Sequence, residues 1–148
     1  VKTSIFEIFK IGVGPSSSHT VGPMRAARRF TLDLEERGLL PQIARVKTEL
    51  FGSLALTGHG HATDRAVLLG LSGEAPETID PATIYAKVGG IRQCRQLSLM
   101  GSRNVPFHED QDLLFLKTQT LPGHSNGMRF TAYDDTGTEL HSAVFYSV

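Results

Sequence analysis

Three short polar stretches hold the side chains best suited to chemistry: "GPSSSHTVGP" (Gly14–Pro23), "LTGHGHATD" (Leu56–Asp64) and "LPGHSNGMRF" (Leu121–Phe130). Each is punctuated by glycine and each contains histidine. In the first, Ser16, Ser17, Ser18, His19 and Thr20 precede a helical pattern. Thr20 or Gly22 is its expected N-cap, with Pro23 in the first turn, where a missing N–H costs nothing. Hydroxyls, open backbone N–H groups and the positive end of a helix dipole converge there, which suits a carboxylate or a phosphate. The bland alternative is a capping loop whose hydroxyls satisfy their own backbone.

In the second stretch Gly58 and Gly60 bracket His59, and glycine at a helix start suits close approach of the backbone to a ligand. His61 is expected in the first turn of a helix running from about Gly58 to Leu71. The dipole there favours a neutral imidazole, the form a base needs. A His-x-His pair can also chelate. Yet His59, His61 and Asp64 lack the Asp-His ending of the His-x-His-x-Asp-His zinc hydrolases and differ from His-Glu-x-x-His. Zinc normally takes three protein ligands, so no metal is assigned to these residues; local capping is their alternative use. In the third stretch His124, Ser125 and Asn126 stand between Gly123 and Gly127, a composition that a tight turn also explains. Three such loops in one small domain suggest a shared polar pocket. Elsewhere the candidates are plainer. Cys94 follows Ile91 by three residues and is expected as a buried, inert thiol. His108 and His141 read as exposed, and Arg25, Arg28 and Arg29 as a solvated helix face.

The elements that must position these loops are legible in part. Met24, Ala27, Thr31 and Leu34 form one stripe of a helix from Val21, with Gly38 as its stop and Pro41 beyond. "RVKTELFG" alternates, with Val46, Thr48 and Leu50 facing one way, as a half-buried strand does. A third helix starts at Asp80 as N-cap with Pro81 first, and carries the stripe Ile84, Val88 and Ile91. "DLLFLKTQ" reads as a strand, and "GMRFTAYD" and "TELHSAVFYSV" as a β-hairpin around "DDTG". The order helix, strand, two helices, three strands predicts an α+β fold, with helices packed on one face of a mainly antiparallel sheet.

Length and composition bound the rest. The 148 residues carry no net charge and are 40% hydrophobic and 20% charged, as in one ordinary soluble domain spanning 1–148. Zero net charge gives no electrostatic case for nucleic acid or an anionic membrane. No apolar run spans a bilayer and no signal peptide is visible. The lone cysteine excludes an internal disulfide and suits a cytoplasmic setting. It also excludes a cluster built from cysteines of this chain alone. The chain lacks an initiator Met and stops on "AVFYSV", so we expect a piece of a longer protein.

Taken together, "SIFEIFKIGVGPSSSHTVGPM", "ELFGSLALTGHGHATD" and "LPGHSNGMRF" resemble the β domain of the iron–sulfur-dependent L-serine dehydratases (L-serine ammonia-lyases), over essentially the whole chain. The resemblance implies a role in converting L-serine to pyruvate and ammonia, within serine degradation and gluconeogenesis. It implies an α domain, absent from this chain, whose cysteines hold a four-iron four-sulfur cluster with one unligated iron acting as Lewis acid on the serine hydroxyl. It implies a fold similar to the allosteric substrate-binding domain of some D-3-phosphoglycerate dehydrogenases, and a homodimer of the full enzyme. Within this frame His61 is the expected general base at Cα, with His59 its rival. Ser16–Thr20 would hold the carboxylate or amino group of L-serine, and His124, Ser125 and Asn126 would orient substrate or the departing water. The isolated chain is expected to be inactive. Two other readings compete: a regulatory module that senses serine or another small anion without chemistry of its own, and a structural dimerisation domain.

Overall fold

The computed structural model describes residues 19–58, 62–123 and 125–147. The apolar stretch Ser4–Phe9 and the candidates Ser16, Ser17, Ser18, His59, His61 and His124 lie outside the described residues. In chain order the elements are α1 (Val21–Glu36), a 3-10 turn (Leu40–Gln42), β1 (Arg45–Phe51), α2 (Ser53–Gly58) and α3 (Thr63–Leu71). A second 3-10 turn (Pro81–Thr83), α4 (Ile84–Cys94), β2 (Gln96–Leu99), β3 (Arg103–Pro106) and α5 (Glu109–Asp112) follow, then β4 (Leu113–Leu116), β5 (Gly127–Tyr133) and β6 (Glu139–Tyr146).

The fold is α+β. Its main sheet has the order β4-β1-β5-β6, antiparallel except for the parallel β1–β4 pair, while β2 and β3 form a separate antiparallel hairpin. The alternation read in "RVKTELFG" holds: Val46, Thr48 and Leu50 are buried while Arg45, Lys47 and Glu49 are half-buried on the other side. On β5 the matching positions Ala132, Phe130 and Met128 pair with Val46, Thr48 and Leu50 and complete the core face. Helix α1 lies on that face. Its stripe Met24, Ala27, Thr31 and Leu34 is buried, and Phe30 stacks on Phe130 with ring centroids 5.4 Å apart. Burying such a stripe stabilises more than helix propensity does in a segment this short.

Helix α3 packs on α1 at very short range. A Cβ added at Gly70 would stand 2.3 Å from the Met24 carbonyl oxygen and 2.7 Å from the Ala27 Cβ. Only a residue without a side chain lets these two helices meet so closely. Helix α1 stops where Gly38 was expected to end it, with the Leu39 N–H bonded to the Leu34 carbonyl and the Gly38 N–H to Glu35. Asp80 caps as expected, its carboxylate accepting from the Ala82 N–H at 3.0 Å, although the turn it opens is 3-10 before α4 begins at Ile84. Among the described residues no helix is long and apolar enough to cross a membrane.

Several expectations are corrected. The helix expected from about Gly58 to Leu71 is α3, which opens only at Thr63 with Ala62 as N-cap, and α2 is a further helix ahead of it that was not expected. The first turn of α3 therefore starts two positions after 61. Glycine is a poor residue for a helix, and the sequence ahead of Ala62 carries it at 58 and 60. Cys94 is exposed, because α4 buries only Ile84 and Val88 and its last turn leaves the core. His141 is half-buried, its ring stacked 5.7 Å from Phe30 at an interplanar angle of 4°. Arg28 is half-buried and donates to the Gly73 carbonyl at 3.2 Å. The β2–β3 hairpin was not foreseen; it turns through Met100 and Gly101, both at positive φ.

Candidate functional site

The ends of β1, β5 and β6 bring the third candidate stretch against the foot of α2. Strand β1 ends at Phe51, antiparallel β5 begins opposite it at Gly127, and β6, antiparallel to β5, ends there at Tyr146. Gly52 and Ser53 make the turn from β1 into α2. Gly52 has φ +58, and a Cβ there would lie 2.3 Å from the Ser125 carbonyl oxygen. The approach lets the Ser53 N–H bond that same carbonyl at 3.1 Å, while the Gly52 N–H bonds Gln119 at 2.9 Å.

Asn126 locks the corner. It is buried, its side-chain carbonyl accepts from the Ser53 hydroxyl, and its amide donates to the Ser147 carbonyl at 3.0 Å. Its own backbone carbonyl accepts from the Ser147 N–H at 3.0 Å. The side chain thus ties the foot of α2 to the end of β6. Ser125 is exposed at the same corner. Helix α2 is six residues long, a rise of about 9 Å. The anchor of the third loop therefore stands one short helix away from the start of the segment that carries His59 and His61.

The first and second stretches meet at the amino ends of α1 and α3. Thr20 is buried and is the N-cap of α1, one of the two positions expected for it; its side chain makes no capping bond, and its carbonyl accepts from the Met24 N–H at 3.0 Å. Buried Thr63, first residue of α3, donates its hydroxyl to the His19 carbonyl at 2.6 Å. Two helix starts thus lie side by side, each presenting backbone N–H groups and a positive dipole end. Pro23 sits in the first turn of α1 as expected.

An ion-pair cluster braces α3 from the other side. Asp64, in its first turn and nearly buried, accepts from the Arg92 guanidinium at 3.0 Å, and Arg92 makes two further bonds of 2.9 Å to Glu109. The hydrogen bond that Arg92 donates to Glu109, with the Glu109 and Asp64 charges, holds the Arg92 guanidinium above its usual range against an opposing burial effect. Arg92 and Glu109 line a cleft of about 620 Å³ with Asp110, Leu113, Leu114 and Phe115.

Among the described residues no three His, Cys, Asp or Glu side chains gather as metal ligands. The sole cysteine, Cys94, lies on exposed α4. These residues do not fit a four-iron cluster, which takes several thiolates.

The described candidates fall in two groups, His19 and Thr20 with Thr63, and Ser125 and Asn126 with Ser53; sequence reasoning passed over Thr63 and Ser53. The strand–Gly–Ser–helix succession at Phe51–Leu54 was the available signal for Ser53. Nothing local marks Arg92, whose partner Asp64 is 28 residues away.

The α+β domain thus carries two polar corners among the described residues, one where the starts of α1 and α3 meet and one at Ser53, Asn126 and Ser147. The family model for the serine dehydratase beta chain matches residues 4–148, and the chain belongs to that family. It is 48% identical over 145 residues to L-serine dehydratase of Streptomyces coelicolor, covering 98% of this chain and 32% of that protein. It is 44% identical over 147 residues to L-serine dehydratase 1 of Escherichia coli, with the same coverage of 98% and 32%. The L-serine dehydratase of Helicobacter pylori is 42% identical over 145 residues, 98% of this chain and 31% of that protein. The chain therefore spans about a third of the length of the curated relatives it matches.

Proposed function

We propose that this chain supplies the substrate-binding and proton-abstracting part of an L-serine dehydratase site. The observation that carries the reading is the bond from Thr63 to the His19 carbonyl, which sets the starts of α1 and α3 together. Paired helix starts suit the substrate carboxylate, because backbone N–H groups and dipole ends favour an anion. Ser16, Ser17, Ser18, His19 and Thr20 lead into one start, and His59 and His61 into the other.

The chemistry assigned to this chain is protonic. With the carboxylate held, an imidazole, His61 or else His59, takes the Cα proton, a contribution of about 10²–10⁴-fold for a positioned base. The Cα electron pair forms the Cα=Cβ bond as the Cβ–O bond breaks, and the departing hydroxyl takes up a proton, returned by the imidazolium, to leave as water. The resulting aminoacrylate tautomerises to the imine, which takes up water and releases ammonia and pyruvate. His124 and Ser125 orient the hydroxyl end, while Asn126 holds the corner on which they stand. The ligands of the four-iron cluster implied by the resemblance would come from the α domain, outside this chain, where the cluster would act as Lewis acid on the hydroxyl. L-serine, that domain and a second copy of the full enzyme are the proposed partners, and the cytoplasm the proposed location.

Amide chemical shifts of this chain, titrated with L-serine and with L-serinamide, test the placement. Shifts at Val21, Gly22, Thr63 and Asp64 with serine, and much weaker ones with the amide, are expected. Equal responses to both, or shifts confined to β2 and β3, would reject a carboxylate site at the helix starts.

A further inference from the structure

The start of α3 is gripped from two sides, and only one grip belongs to the loops. On the loop side Thr63 bonds the His19 carbonyl. On the other, Asp64 Oδ2 accepts from Arg92 at 3.0 Å while its Oδ1 accepts from the Arg65 N–H at 2.8 Å. The Asp64 side chain is 5% exposed, so its charge stands largely out of water and needs a cationic neighbour. Arg92 in turn is oriented by Glu109, which takes Nε and Nη2 together in a fork. The cluster joins α3, α4 and α5, elements that share no sequence neighbourhood.

We propose that Arg92 is a positioning residue: acting through Asp64, it fixes the first turn of α3 and thereby the end of the segment carrying His59 and His61. The proposal rests on the reading of that segment as the source of the base. Arg92 contacts none of the candidate site residues among the described ones; its effect is on where α3 begins. A displacement of about 1 Å at a reacting group can cost roughly 10²-fold in rate. Lysine carries the charge but not the fork, so Arg92→Lys keeps the attraction to Asp64 and loses the orientation set by Glu109.

The test uses the complete dehydratase containing this chain, assayed well below its unfolding midpoint, with kcat and KM measured separately. Arg92→Met is expected to lower kcat by about tenfold or more with a much smaller change in KM, and Arg92→Lys to recover part of the loss. In a His61→Ala background, Arg92→Met is expected to add no further loss, because both act on one step. A kcat for folded Arg92→Met within about twofold of wild type would overturn the proposal, as would the same fold-loss in both backgrounds. Full turnover by His61→Ala would instead reject His61 as the base, leaving Arg92 to be judged on the kcat of its single variants. If Arg92→Met does not accumulate folded, Glu109→Gln carries the test: it leaves the Asp64 pair and releases the fork. A kcat fall of about threefold is then expected, and an unchanged kcat overturns the proposal.

Discussion

Thr63 donates its hydroxyl to the backbone carbonyl of His19 at 2.6 Å, across 44 residues of sequence. This bond fastens the start of α3 to the chain just ahead of α1, and Thr63 is buried where it does so. Thr63→Val keeps the shape and removes the donor, leaving the His19 carbonyl one partner fewer. The expected loss is about 1–2 kcal/mol in urea unfolding. An unchanged midpoint would show that the bond contributes nothing to holding the two helix starts together.

The α1–α3 contact gives a pair of glycine substitutions of opposite sign. Gly70→Ala places a methyl 2.3 Å from a backbone oxygen that cannot move without shifting α1, so a loss of about 1–3 kcal/mol is expected. A Cβ at Gly89, in exposed α4, meets nothing within 4 Å, and Gly89→Ala is expected to stabilise by about 0.5–1 kcal/mol. Thermal unfolding of both variants checks this; a shift of the same sign in each would contradict the packing described.

Asn126 carries two roles that substitution can separate. Its side chain bonds Ser53 and Ser147, so Asn126→Ala opens the corner between α2 and β6 and is expected to cost about 2–3 kcal/mol. Hydrogen exchange at Ser53 and Ser147 should accelerate alongside. Loss of activity with neither change would place Asn126 in contact with substrate rather than in the scaffold.

The β5–β6 turn makes a pH-dependent contribution of known sign. The Asp134 carboxyl is held below its usual range, first by the Thr136 hydroxyl, then by the Thr138 backbone N–H, with the Thr136 and Gly137 N–H groups adding to it. A lowered folded pKa means stabilisation that is fully present above the unfolded value, about 3.9, and lost as pH falls through the folded one. The stability gap between wild type and Asp134→Ala is therefore expected to be open at pH 7 and to narrow below about pH 4. A gap that stays constant across that range would contradict this.

The sequence was most legible where one helix or strand decided its own burial. The stripe of α1, the alternation in β1 and the β5–β6 hairpin follow from local periodicity, and the structure keeps each of them. What failed was non-local or terminal. The helix expected from about Gly58 opens only at Thr63, after a glycine-bearing stretch that disfavours helix, and the short α2 ahead of it was not expected. Cys94 lies on the apolar stripe by spacing, yet it is exposed at the end of α4, a helix that buries only Ile84 and Val88. The parallel β1–β4 pairing depends on partners more than 60 residues apart, beyond any local pattern. At the candidate site the polar loops were legible from composition. Their anchors, Thr63 on His19 and Ser53 on Asn126, were not, since each bond joins segments distant in sequence.

The central claim is that His61 is the base at Cα, and His61→Ala in the complete dehydratase tests it most directly. Pyruvate formation and cluster absorption would be measured on the same preparation. The account expects turnover to fall by about 10²–10⁴-fold while the cluster absorption stays intact. Turnover close to wild type, with the cluster in place, would contradict it.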